Sequence, residues 1–228
     1  MIQTLTTPNG SVALLSQRQM PAGQGKYFVA TNPTPGTAIA YALKTGYSAT
    51  ANGLFSISNG NPSGGANLYL NRLKLIQTAT APTGTLIMRA EVVTESVVMA
   101  ITTAAAAITP VNVNGAFSNS TGATVTFFNA GAGTVPAAAG VRRIVDVASL
   151  ATGVTVQYDS FSFIFGDDGI AGGKNGGAAA RATDPADQVV TMAPVVVAPG
   201  TSAYMNLWWV TAAANVPSFE WMLEYAEV

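Results

Sequence analysis

Apolar and polar positions alternate with period two through much of this chain. Leu86, Met88, Ala90 and Val92 alternate with Ile87, Arg89, Glu91 and Val93. Phe161, Phe163 and Phe165 alternate with Ser160, Ser162 and Ile164, and Phe219, Trp221, Leu223 and Tyr225 with Glu220, Met222 and Glu224. Between Thr37 and Leu43, Ile39, Tyr41 and Leu43 stand against alanines. A single apolar face at period two marks a half-buried antiparallel strand. The same reading predicts strands over 26–31, 54–58, 68–78, 124–129, 141–148, 188–197 and 203–211. Within the third of these the phase slips: Leu68 and Leu70 fall out of step with Leu73 and Leu75, which predicts a bulge near Asn71.

Turn signals separate these segments. Asn-Gly pairs at Asn9-Gly10, Asn52-Gly53, Asn59-Gly60, Asn114-Gly115 and Asn175-Gly176 offer the positive φ angles of tight hairpins. Asn32-Pro33-Thr34-Pro35-Gly36 and Ala198-Pro199-Gly200 read as corners. Many short strands punctuated in this way predict an all-β chain, an antiparallel β-sandwich or jelly roll, over residues 26–228. Residues 1–25 are polar and broken by Pro8, Pro21, Gly23 and Gly25, and read as an extended N-terminal arm. In that arm Ser11–Gln19 has the makings of two helical turns or of an edge strand. The alanines of Val98–Ala107 predict the one other helix, short because of its threonines and Pro110. Two stretches, 60–66 and the glycine-rich 166–187, read as long loops, the second exposed and mobile.

Composition narrows the chemistry. The 228 residues contain no His and no Cys. That excludes disulfides, thiolate nucleophiles, Ser-His-Asp triads and the usual zinc and haem sites. Net charge is −1, which argues against a nucleic-acid partner. The longest apolar runs, 97–108 and 189–197, fall short of the roughly 20 residues that span a bilayer as a helix. Met1-Ile2-Gln3-Thr4-Leu5-Thr6 has no basic or apolar leader pattern, so no membrane or export role is expected. Charged residues make up 9% of the chain, against roughly 25% in ordinary soluble domains. On a monomer surface of roughly 9,700 Å² that leaves about one charge per 460 Å². Such scarcity of Lys and Glu is the composition of surface buried against partners, so a homo-oligomer is expected.

Each candidate motif has a plain structural reading beside it. Gly172-Gly173-Lys174-Asn175 lacks the earlier Gly and the following Ser or Thr of a phosphate loop. Asp167, Asp168, Asp184 and Asp187 bracket the same loop without the spacing of a calcium-binding hand, and read as solvated carboxylates. Glu220 and Glu224 share one face of a strand about 13 Å apart, too far for a glycosidase pair, and read as rim glutamates. Arg142 and Arg143 point to opposite faces and form no patch. Arg89 and Glu91 share a face and are placed to pair with each other or across strands. Neither catalysis nor a cofactor or metal is expected. Trp209 joins Ala203, Met205 and Leu207 on one face of its strand, and Tyr204, Asn206 and Trp208 occupy the other. Tyr204 and Trp208 are the candidate interface residues, because aromatic side chains anchor protein contacts, with sugar stacking by tryptophan the alternative.

The C-terminal stretch runs Ala193-Pro194-Val195-Val196-Val197-Ala198-Pro199-Gly200-Thr201-Ser202, then Ala203-Tyr204-Met205-Asn206-Leu207-Trp208-Trp209, and closes Ser218-Phe219-Glu220-Trp221-Met222-Leu223-Glu224-Tyr225. It resembles the closing strands of jelly-roll head proteins of tailed bacteriophages, including decoration (cement) proteins. The Ala/Gly/Thr/Val-rich composition is similar along the whole chain. The resemblance implies a virion structural protein on the capsid exterior, made in the host cytoplasm, that binds the phage major capsid protein as a homotrimer. It carries over no catalytic residues. A jelly-roll shell subunit and a receptor- or glycan-binding module of a tail or fibre are the alternatives. No long amphipathic helix of the commonest tailed-phage capsid fold is present in the pattern, which favours the accessory role.

Overall fold

The computed structural model describes residues 3–6, 12–15, 19–32, 34, 36, 39–40, 53–79, 86–98, 105–128, 141–150, 160–166, 187–209 and 218–228. Among these the chain is nearly all β. Strands β1 (Gln3–Thr6) and β2 (Val12–Leu15) pair antiparallel as a small sheet of their own, and α1 (Gln19–Gly23) follows. Two larger sheets hold the rest. The six-stranded sheet runs β11 (Val141–Leu150), β7 (Leu86–Glu95), β15 (Ser202–Trp209), β5 (Gly53–Asn59), β10 (Ala123–Phe128), β8 (Ala105–Ile108). The eight-stranded sheet runs β13 (Asp187–Met192), β12 (Ser160–Phe165), β6 (Leu68–Ala79), β16 (Ser218–Glu227), β3 (Tyr27–Thr31), β9 (Val111–Asn112). In it β14 (Val196–Val197) also pairs with β6, and β4 (Ile39–Ala40) with β16.

The core lies between these two sheets and follows the period-two pattern. Phe55 and Ile57, Ala90 and Val92, Val125 and Phe127, and Ala203, Met205 and Leu207 come from one sheet. Phe28, Leu73, Leu75, Phe161, Phe163, Phe219, Trp221 and Leu223 come from the other. Burying such side chains contributes about 1.5–3 kcal/mol each and is what holds the layers together. The bulge in β6 falls where the phase slip places it: Glu224 faces Arg72 and the next residue, Tyr225, faces Leu70, so Asn71 is the extra residue. That single insertion lets Leu68, Leu70, Leu73 and Leu75 all enter the core.

Five expectations need correction. The pairing is not wholly antiparallel: β12 and β13 run parallel, Ser160 beside Asp187 and Phe165 beside Met192. A parallel neighbour requires a connection long enough to return the chain to the same end of the sheet, and residues 166–186 supply that length. Of the helix expected over 98–107, residues 105–107 lie in strand β8, which pairs with β10 through Ile108 opposite Val125 and Ala105 opposite Phe128, and 99–104 lie outside the described residues. Sheet pairing there outweighs the helix propensity of alanine. The helix at 11–19 is likewise replaced by β2, and the short helix begins at Gln19. The strand expected over 188–197 is two, interrupted at Ala193-Pro194-Val195, where proline has no N–H for a ladder.

The fifth concerns the turns. Neither Gly60 nor Gly115 has a positive φ; Gly25, Gly36, Gly64, Gly166 and Gly200 do. At Ala198-Pro199-Gly200-Thr201 the Thr201 N–H donates to the Ala198 carbonyl at 3.0 Å and Gly200 has φ of 76°, the type II arrangement of Pro then Gly. The two described asparagines of these pairs, Asn59 and Asn114, act through their side chains. Asn59 Oδ1 accepts from the Asn61 N–H at 3.0 Å and Asn114 Oδ1 from the Ala116 N–H at 3.1 Å. Of the strand expected over 37–43, only β4 falls within the described residues, and the 166–187 loop lies outside them but for its ends.

Candidate functional site

Tyr204 and Trp208 lie on the face of β15 that points away from the core, as the alternation requires, but they are not open to solvent. Tyr204 is 0% exposed and Trp208 6%. The reason is that this sheet is buried on both faces: Ser56, Val93 and Asn206 on the same side are buried too. In the single chain these two aromatics thus belong to a second buried layer, on the other face of their sheet. Its polar members are satisfied partly by each other. Asn206 Nδ2 donates to Glu91 Oε2 at 3.0 Å, and the Tyr204 hydroxyl reaches Glu95 Oε1 at 3.5 Å. Both glutamates are buried, at 1% and 7% exposure.

Glu224 is also corrected from a rim position. It is 8% exposed, accepts from the Tyr27 hydroxyl at 2.9 Å through Oε2, and is ion-paired through Oε1 to Arg72. Cross-strand register places Arg72 directly opposite Glu224 on the outer side of the eight-stranded sheet, and α1 packs beside them against β3 and β16.

At the end of β16 the chain builds a denser node. Glu227 accepts from Asn61 Nδ2 at 2.8 Å, from the Thr121 hydroxyl at 2.6 Å and from the Gly122 N–H at 3.1 Å. Thr121 Oγ1 also lies 3.2 Å from the Tyr225 hydroxyl. Burial pushes the Tyr225 phenol well above its ordinary range; the Thr121 hydrogen bond opposes this and the Glu227 charge adds to it. Next to this node Asn59 is 0% exposed, and its amide donates to the carbonyls of Ala66 and Val197, both at 2.9 Å. One glutamate and one asparagine thus tie the 60–67 loop, the 113–122 loop and the closing strand together.

The 113–122 loop is held from its other side by Asn112, whose amide donates to Gly25 O at 2.6 Å and Ser118 O at 3.2 Å. The Asn112 N–H donates to Asn119 Oδ1 at 2.8 Å, and the Asn114 N–H to Asn112 Oδ1 at 3.0 Å. Phe117 lies over Gly25: a Cβ on that glycine would sit 2.2 Å from Phe117 Cγ. Large apolar side chains stay exposed here, Val111 at 53%, Val113 at 46% and Phe117 at 47%. None of these residues stood out in the sequence beyond the Asn-Gly signal at 114–115.

Among the described residues no group of three or more acidic side chains is placed to hold a metal ion, and no helix is long and apolar enough to cross a membrane. Asp167, Asp168, Asp184 and Lys174 lie outside the described residues, and so do the side chains of Asp187, Arg142, Arg143 and Trp209. Comparison of the chain with protein-family models, with curated proteins and with solved structures finds no match.

Proposed function

We propose that this chain is a virion structural protein, a jelly-roll decoration (cement) subunit that covers junctions on the outside of a tailed-phage head as a homotrimer bound to the major capsid protein. The observation that carries the reading is the wiring of the sheets. Take β3, β5, β6, β7, β11, β12, β15 and β16 as first to eighth. The eight-stranded sheet then reads sixth, third, eighth, first, and the six-stranded sheet reads fifth, fourth, seventh, second. That order supports the jelly-roll reading, two interlocked Greek keys, an architecture of viral capsid domains. The excursion β8–β9–β10 sits between the fourth and fifth strands and widens both sheets on the same side, β10 beside β5 and β9 beside β3.

Fold alone does not define function, and the second support is the charge. The stretch 96–141, which contains the whole excursion, has no Asp, Glu, Lys or Arg. Glu91, Glu95 and Glu224 are spent inside the chain. The 96–141 stretch is uncharged, suited to burial against neighbours and poor for recruiting charged ligands. Residues 1–25, with β1 and β2 paired only to each other among the described strands, serve as the arm that reaches a neighbour. Quantitative mass spectrometry of purified virions tests this. The chain is expected in a fixed ratio to the major capsid protein; its absence from gradient-purified particles overturns the proposal.

A further inference from the structure

Strand β9 and the loop after it present an apolar surface that the other described residues leave exposed. Val111 pairs in register with Val29, which places the two on the outer side of the eight-stranded sheet, and Val113 follows on the same side two residues on. Phe117, folded back over Gly25, adds an aromatic ring that is 47% exposed. The loop is not slack: the amides of Asn112 and Asn114, the Asn119 side chain and a turn closed by the Phe117 N–H on the Asn114 carbonyl at 3.0 Å fix its shape. A half-exposed ring held in one geometry is preorganised for contact, since little further ordering is lost on binding.

We infer that this surface, Val29, Val111, Val113 and Phe117, is where a second copy of the same chain docks. The inference rests on the assembly reading above and names the contact that reading leaves open. Charge selects the occupant. No ionisable side chain occurs from 96 to 141; beside the patch, Glu224 stands opposite Val29 and is already engaged by Arg72 and the Tyr27 hydroxyl, and Lys26 is exposed at the start of β3. An ordinary protein surface, with roughly a quarter of its residues charged, would have charges desolvated here without partners. A second copy brings the same uncharged 96–141 stretch, and apolar side chains meet apolar side chains.

The test is light scattering on the full chain at tens of micromolar, with far-UV circular dichroism as the fold control. The wild type is expected at a multiple of 23.2 kDa. Phe117→Asp is expected to lower the mass to that of the monomer. Because Phe117 also packs on Gly25, Val113→Asp is measured separately; its side chain is exposed, its backbone bond to Tyr27 O is kept, and the same loss of mass is expected. Folded variants that retain the wild-type mass overturn this surface and leave the virion reading standing. A wild type that is itself a 23.2 kDa monomer overturns the second copy as the occupant. Virion mass spectrometry decides the location of the protein independently of either result.

Discussion

Gly25 joins two constraints at one position. Its φ of 69° is one that L side chains rarely adopt, and Phe117 fills the space a Cβ would take. Gly25→Ala is therefore expected to cost about 2–4 kcal/mol, left-handed strain plus overpacking, read as a lower urea midpoint. Asn59 is the corresponding polar residue. Its amide satisfies two carbonyls and its Oδ1 one N–H, all out of bulk water. Asn59→Ala removes all three bonds, with only the Ala66 carbonyl keeping a second donor, Asn61 Nδ2 at 3.1 Å, and is expected to destabilise by about 2–4 kcal/mol in the same assay. A change below 0.5 kcal/mol at either residue, roughly that of a surface substitution, would contradict the account given of it.

Among the elements, strands with one apolar face were readable from the sequence because burial itself creates the period. The phase slip in β6 even located the bulge at Asn71, since the core demands leucines on both sides of it. Other features depend on partners distant in the chain. The alanines of β8 carry a helix preference that pairing with β10 overrides. The parallel placement of β13 leaves no mark on its own residues. β15 is apolar or aromatic on both faces, so alternation identified Ala203, Met205 and Leu207 as one group without revealing that Tyr204 and Trp208 are buried as well. The Glu227 node was invisible for the same reason: Asn61 and Thr121 reach it across more than a hundred residues of chain.

That node gives β16 a pH signature. The folded state holds the Tyr225 phenol protonated, whereas in the unfolded chain it ionises near its ordinary value of about 10. Above that value the unfolded state releases a proton that the folded state keeps, so stability falls as pH rises. Below it both states are protonated and the term vanishes. The expected loss from this residue approaches about 1.4 kcal/mol per pH unit once the pH exceeds 10. Tyr225→Phe should lose stability less steeply than the wild type in chemical denaturation between pH 9 and pH 11, about those of the phenol's titration range. Parallel profiles would show that the phenol is not held in this way.

On the scale of the molecule, Glu91, Glu95 and Glu224 are buried within the two sheets, and an insertion without charge widens one side. A subunit built in this way gains little from an isolated life in solution and much from neighbours. The most direct measurement of the central claim is electron cryomicroscopy of the particles that carry this protein. The account predicts discrete density on the outside of the head, fitted by the two sheets in the strand order described, with subunits meeting through the β9 side. Density that forms the continuous shell itself, or that lies on a tail fibre with the outer head surface bare, would contradict it.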